Sequence, residues 1–249
     1  MMKGLQVDIA ALSDPGRVRE TNQDSIGVDA SAGAAILADG VGGRAHGARA
    51  SAMAVDFCLP MLSEVAFLAE ALAERDLDKV CAFMRQGVRE CNDKILAAAE
   101  REPELAGMAS TLVMGLFGHD RLFHCHLGDS RIYCLRLGQL SQLTQDHSLY
   151  QEHYEATGVF DETIPGNAIT RALGVAVSCQ PDCAIWPLRQ GDVYLFCSDG
   201  ITKDLGAAEM GDLLAQTSQS VEQIAQALVD QCNANGGNDN ISVVVARVR

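Results

Sequence analysis

Apolar and polar positions fall into blocks of two different periods along the chain. LQVDIAALSD opens as a strand and is closed by the turn Asp14-Pro15-Gly16. DSIGVDASAGAAILADG follows as two short strands around an Ala/Ser/Gly turn, the second ending at Asp39. From about Ala48 to Leu72, and again from Leu77 to Glu100, apolar residues recur at spacings of three and four, as in Val80, Phe83, Met84, Val88 and Cys91. That spacing predicts two long helices, the second closed near Pro103. STLVMGLFGHDRLFHCHLGDSRIYCLRLGQLSQLT then reads as a β-meander of three short strands, with Gly-His-Asp, Gly-Asp-Ser and Leu-Gly-Gln turns. Residues 146–168 are polar and irregular after one short helical piece, which suits an exposed, mobile segment. SCQPDCAIWPL and GDVYLFCSDG follow, the latter another strand ending in an aspartate. A helical pair (Ala207–Ala215 and Val221–Ala234), the polar loop NANGGNDN and a last strand complete the chain.

No internal repeat, low-complexity linker or break in composition divides the chain. Strands, then two long helices, then strands with hairpin connections predict an α+β fold with mostly antiparallel sheets, as one domain over residues 1–249. Strands as apolar as YLFC and ISVVV predict burial on both faces.

Charge narrows the function classes. A net charge of −14 leaves no basic face for nucleic acid or a membrane surface. The first ten residues lack the apolar core of a secretory signal, and no run is read as a membrane span. The nine cysteines are an odd number, and Cys58, Cys125, Cys134 and Cys197 sit inside apolar runs. They read as reduced, buried thiols in a cytoplasmic protein. Cys179 and Cys183, in CQPDC, lack a second pair for zinc, and His124 and His126 read as packed strand residues on one face.

The chemistry turns on ILADGVGGRAHG, residues 36–47. Gly40-Val-Gly42-Gly-Arg-Ala45 matches a dinucleotide-loop pattern, but the required next strand arrives only near Ser110, after two helices. A P-loop fails as well, since Gly47 is followed by Ala48-Arg49 in place of Lys and Ser/Thr. Aspartates, by contrast, recur at strand ends: Asp39 and Asp199 each precede a glycine, Asp129 lies in a GDS turn, Asp239 precedes the last strand, and Asp24 follows Arg19 in RETNQD. Taken singly, each is an ordinary turn or cap residue. Gathered at one sheet edge, they could stay ionised together only around cations, and hard oxygen ligands select Mg²⁺ or Mn²⁺.

RETNQDS, LADGVGG, GDSRIY, LTQDHS, ITRALG, FCSDG and GGNDNISVVV, in this order, resemble the successive motifs of the metal-dependent protein Ser/Thr phosphatases of type 2C, in their compact bacterial branch. The resemblance covers about residues 8 to 248 and implies a four-layer α-β-β-α sandwich, two antiparallel sheets face to face with a helix pair outside each. It further implies that Asp39 bridges two Mn²⁺ or Mg²⁺ ions with help from the Gly40 carbonyl, and that Asp199 and Asp239 take further positions. Asp24 would hold the second ion through water, Asp129 would help bind a third, weaker one, and Arg19 would grip the substrate phosphate. The implied reaction is attack on phosphorus by a water that the ions activate, in line with the seryl or threonyl oxygen.

Two departures from the family pattern stand out. Val41 and Arg44 occupy positions where animal and bacterial members, respectively, often carry a histidine, so no side-chain general acid is named; His46 lies two residues on. The flap segment 146–168 is shorter than usual and contains FDETIPGNA. Partners implied are phosphorylated proteins and an opposing Ser/Thr kinase, with a monomer expected. The alternative is a pseudophosphatase or phosphoprotein sensor, against which the full set Asp24, Asp39, Asp199 and Asp239 argues.

Overall fold

The computed structural model describes residues 5–41, 45–71, 76–118, 120–161, 163–166 and 168–249. Two antiparallel sheets face one another. The first runs β1 (Val7–Asp14), β11 (Ile241–Val248), β10 (Val193–Cys197), β7 (Arg131–Arg136), β8 (Gln139–Gln142). The second runs β2 (Asp24–Asp29), β3 (Ala34–Val41), β5 (Leu112–Gly118), β6 (Arg121–Leu127), β9 (Asp182–Pro187), with the short β4 (Ala109–Ser110) against β3. Helices α1 (Ala45–Ala71) and α2 (Asp78–Arg101) cover the outer face of the second sheet. On the outside of the first lie α4 (Asp199–Asp204), α5 (Ala207–Leu214) and α6 (Val221–Asn235). Helix α3 (Leu149–Thr157), capped by Ser148 and by Gly158 in the left-handed region, stands apart with no buried residue.

Alternation along the strands explains this layering. In β3, Ala34, Ile36 and Ala38 point at α1 and α2, whereas Ala35 and Leu37 point into the layer between the sheets. In β11, Val243 and Val245 face the helices and Val244 and Ala246 face the other sheet. Both sides being apolar, a strand reads as an unbroken hydrophobic run. α2 buries Val80, Cys81, Met84, Val88, Cys91 and Ile95, one stripe at helical spacing.

Four details differ from the sequence-based expectations. The segment read as a three-strand meander holds four strands, and β6 does not pair with β7: Gly128-Asp129-Ser130 carries the chain from one sheet to the other. A hairpin and a sheet-to-sheet crossing share the same turn residues, and only long-range pairing separates them. Asp199 does not end the strand before it: β10 stops at Cys197, and Asp199 begins a helix, α4. Cys125 is not a free thiol: it and Cys183 are register partners on β6 and β9 and form a disulfide, leaving seven free, buried cysteines. Residues 46–67 of α1 are, by length and composition, apolar enough to cross a membrane (mean hydropathy 1.4). Here their Ala50, Ala54, Cys58, Leu62 and Val65 are spent on the core beneath the second sheet.

The entry to α1 is unusually tight. A Cβ on Gly47 would sit 2.6 Å from the Gly40 carbonyl oxygen, and one on Gly40 would meet the Gly47 backbone and the Gln23 carbonyl. The glycines of ILADGVGGRAHG thus include a pair that lets the end of β3 and the start of α1 touch backbone to backbone; Gly42, Gly43 and Arg44 lie outside the described residues. Helix propensity favours alanine over glycine by ~1 kcal/mol at most, whereas overpacking a rigid contact costs ~1–3 kcal/mol. Gly47→Ala is therefore expected to lower the melting temperature by a few degrees, at ~2–4 °C per kcal/mol for a chain of this size. A rise in a thermal melt would show that the contact has room to spare.

Candidate metal centre

All five aspartates singled out in the sequence come to one end of the sandwich, two of them from strands and three from the segments that join strands. Asp24 opens β2 and Asp39 lies near the end of β3, and the two are direct antiparallel partners, so their side chains share a face. The Asp39 backbone is pinned on both sides: its N–H donates to Thr111 Oγ1 (3.0 Å), and its carbonyl accepts from the Thr111 N–H (2.8 Å) and the Ser110 hydroxyl (3.0 Å). Asp199 and Asp239 come from the other sheet, the first just beyond β10 and the second just before β11. Gly200 lets them approach, because a Cβ there would collide with the Asn240 carbonyl. Asp129 sits on the crossing from β6 to β7 and shares a cavity of about 240 Å³ with Asp199, Asp146 and Lys203.

The electrostatics are lopsided. Burial, with the Asp24, Asp199, Asp129 and Asp239 carboxylates adding to it, pushes the Asp39 carboxyl well above its ordinary pKa. Burial likewise pushes Asp24 up to about 6, although the Ser242 and Ser198 hydroxyls lean the other way, and neither Asp24 oxygen has a hydrogen-bond partner among the described residues. Asp129 is raised to about 6, again first by burial and then by Asp199. Asp239 behaves oppositely: burial would raise it, but hydrogen bonds from Lys203 and Arg19 outweigh that and hold it below the usual range.

Arg19 forks onto Asp239, with Nε 2.8 Å from Oδ1 and Nη2 donating to Oδ2 at 3.0 Å, while its guanidinium remains half exposed. Its loop is held in place by Asn240, whose amide donates to the Pro15 and Thr21 carbonyls (2.9 and 3.0 Å) and whose Oδ1 accepts from the Gln23 N–H (2.9 Å). Lys203, one turn along α4 from Asp199, donates to Asp199 Oδ2 (2.6 Å) and to Asp239 Oδ2 (2.8 Å). Neither Asn240 nor Lys203 is among the sequence candidates. Asn240 was within reach, as the last residue of NDN, but Lys203 carries no pattern that distinguishes it from a surface lysine. Arg131 and Asp146 pair beside Asp129, at 2.6 Å from Nη2 to Oδ2. His46 lies half-buried in the first turn of α1.

An orphaned, buried carboxylate next to a second carboxylate it cannot ionise beside fits a divalent cation. Asp24, Asp39, Asp199 and Asp239 form an all-oxygen set of carboxylates whose chemistry suits Mn²⁺ or Mg²⁺, while the Gly40 carbonyl lies close to Gly47 at the start of α1. Among the described residues, the one group whose ligand atoms all lie within 4.8 Å of one another is instead His126, His147 and Asp182, and it does not fit as well. Their existence was not legible in the sequence, since only folding brings Asp182 opposite His126 and stacks the two rings at 4.6 Å. The Gly128 N–H donates to His147 Nδ1 (3.1 Å), so the ring's proton is on Nε2, which donates to Asp182 (3.0 Å). That nitrogen has no lone pair left for a metal. The three residues clasp the GDS turn from behind.

Fold and site define a metal-dependent hydrolase of phosphate esters. The family model described as protein phosphatase 2C matches residues 17–242, and the chain belongs to that family. It is a metal-dependent protein serine/threonine phosphatase, and nothing favours the binding-only alternative. The chain is 33% identical over 240 residues to the serine/threonine phosphatase stp of Listeria welshimeri, covering 94% of this chain and 92% of that one. The catalytic domain of Mycobacterium tuberculosis PstP, solved in complex with two manganese ions, superposes with a TM-score of 0.83 at 35% identity, covering 98% of this chain and 99% of that chain. PppA of Pseudomonas aeruginosa, described as a key regulatory component of the type VI secretion system, gives a TM-score of 0.81 at 30% identity, covering 98% of each chain.

The raised carboxyls carry a pH signature. A folded-state pKa above the ordinary value contributes stability that is fully present below the unfolded pKa and lost as pH rises through the folded one. For Asp24 that window runs from 3.8 to about 6. In EDTA at pH 7.5, Asp24→Asn is expected to be more stable than the native chain by up to ~3 kcal/mol, and the gap should close near pH 4. Urea unfolding at the two pH values reads this directly; a variant that is no more stable at pH 7.5 would mean the carboxylate is not strained.

Proposed function

We propose that residues 1–249 act as one phosphatase domain, with 146–168 as its flap, and that Asp24, Asp39, Asp199, Asp239 and the Gly40 carbonyl hold two Mn²⁺ or Mg²⁺ ions. The observation that carries this reading is the Asp24–Asp39 register pair: Asp24 is buried with both oxygens unpartnered among the described residues, and half-buried Asp39 feels three further carboxylates, Asp199, Asp129 and Asp239. Bound there, the ions supply a water made nucleophilic at neutral pH and neutralise charge on the phosphoryl group. Asp129, on the rim of the same cavity as Asp199, is the further ligand for a third ion.

The chain's own residues supply position and charge. Thr111 and Ser110 fix the Asp39 backbone so that its carboxylate cannot recoil from its neighbours. Asp239 aims the Arg19 fork, and the exposed part of that guanidinium is the donor surface for a substrate phosphate. With Val41 and Arg44 at the positions where family members often carry a histidine, water is the proton source for the departing alkoxide in this reading. Substrates are phosphoserine and phosphothreonine in proteins, and a cognate Ser/Thr kinase opposes the reaction. The setting proposed is the bacterial cytoplasm, the working form a monomer.

Phosphate release from a phosphothreonine peptide tests the reading. Release should require Mn²⁺, stop in EDTA, and fall at least ~10²-fold in Asp39→Asn, beyond the 10–100-fold typical of residues that only support a metal ligand. Full activity in EDTA or in that variant would overturn it. Arg19→Lys is expected to lose most of kcat/KM despite keeping the charge, because a point charge cannot replace the fork.

A further inference from the structure

Protein cations are spread unevenly over the acidic centre. Asp24 and Asp39 receive none among the described residues, whereas Asp199 and Asp239 share the Lys203 ammonium at 2.6 and 2.8 Å. Both contacts use Oδ2 atoms, and Arg19 already engages both oxygens of Asp239. A carboxylate oxygen that accepts a charge-assisted hydrogen bond has its charge and a lone pair committed. A divalent ion seeking Asp199 and Asp239 must break both ammonium contacts, or else lie within a few ångströms of a like charge. Lys203 cannot leave the scene, since it follows Asp199 by four residues on the same helix. The adjoining cavity that Lys203 lines also holds Asp129 and the Arg131–Asp146 pair, so Asp129 is the carboxylate there that Arg131 does not already engage.

We infer that Lys203 is a tethered competitor for the Asp199–Asp239 half of the metal centre. Ions therefore fill the centre unequally: the Asp24–Asp39 half, with which no cation among the described residues forms an ion pair, fills first and tightly. The Asp199–Asp239 half fills second, and weakly, as the lysine is displaced toward Asp129. Lys203 is a positioning residue for the ions and makes no contact with the reacting phosphate. The inference rests on the metal-dependent reading above, and it concerns how this chain's own side chain sets ion affinity.

Titration calorimetry of the metal-free full chain with MnCl₂ tests it. The native protein should show two steps of unequal affinity. In Lys203→Gln the weaker step should tighten about tenfold, the weight of two charge-assisted contacts at a part-exposed site, and the stronger step should not move. Lys203→Arg, which keeps a cation, should leave the weaker step near its native value. A weaker step that is unchanged or loosened in Lys203→Gln overturns the inference while leaving the metal-dependent reading intact. Absence of Mn²⁺ uptake by either protein overturns both. Should Lys203→Gln fail to fold, the native chain answers alone: acetylation of Lys203, followed by mass spectrometry, should speed up when Mn²⁺ is added, and an unchanged rate overturns the inference.

Discussion

Repulsion among carboxylates at one end of a packed sandwich is the constraint on which this structure depends. Two of them, buried Asp24 and half-buried Asp39, are register partners, and desolvation already disfavours their charged forms. Nothing local could hold such a pair together. What holds it is the sheet ladder on either side, the Thr111 and Ser110 contacts to the Asp39 backbone, and the apolar layers that leave the strands no other register. The fold pays for the site, and that strain is what the proposed cations would relieve.

The two halves of the centre meet the problem differently. On the first sheet, Arg19 and Lys203 neutralise Asp239 and Asp199, and Asp239 is held below the usual carboxylate range. On the second sheet no such ion pair forms among the described residues, and the pKa values of Asp24 and Asp39 rise instead. A centre in which one half is pre-neutralised and the other is starved of charge is what the proposed order of filling rests on.

Close backbone approaches set the geometry around these charges. Gly40 against Gly47 seats α1 on the end of β3, and Gly200 against Asn240 brings the start of α4 onto the approach to β11. Asn240 then ties the loop bearing Arg19 to the same point. The glycines that in isolation resemble a nucleotide loop are there for clearance. Behind the site, His147 and Asp182 support Gly128, so the crossing that carries Asp129 is buttressed from the far face.

Much of this was legible in the residues. Helix periodicity located α1 and α2, doubly apolar runs announced strands buried on both faces, and aspartates at strand ends marked the acidic centre, because each of these signals is local. The rest was not local. GDS looks like a hairpin turn until β6 and β7 are seen in different sheets, and Cys125 looks like a core thiol until Cys183 is its register partner. Residues 46–67 read as ordinary helix, yet they meet a membrane-span criterion because one helix packs on a sheet and a second helix at once. Lys203 is an unremarkable helical lysine until α4 turns it onto two carboxylates from opposite ends of different strands. The sequence alone determined which residue types could hold a cation and in what order they occur. Only the tertiary structure decided which carboxylates share a charge, because that depends on distances between segments over 200 residues apart along the chain, such as Arg19 and Asp239 (|i−j| = 220).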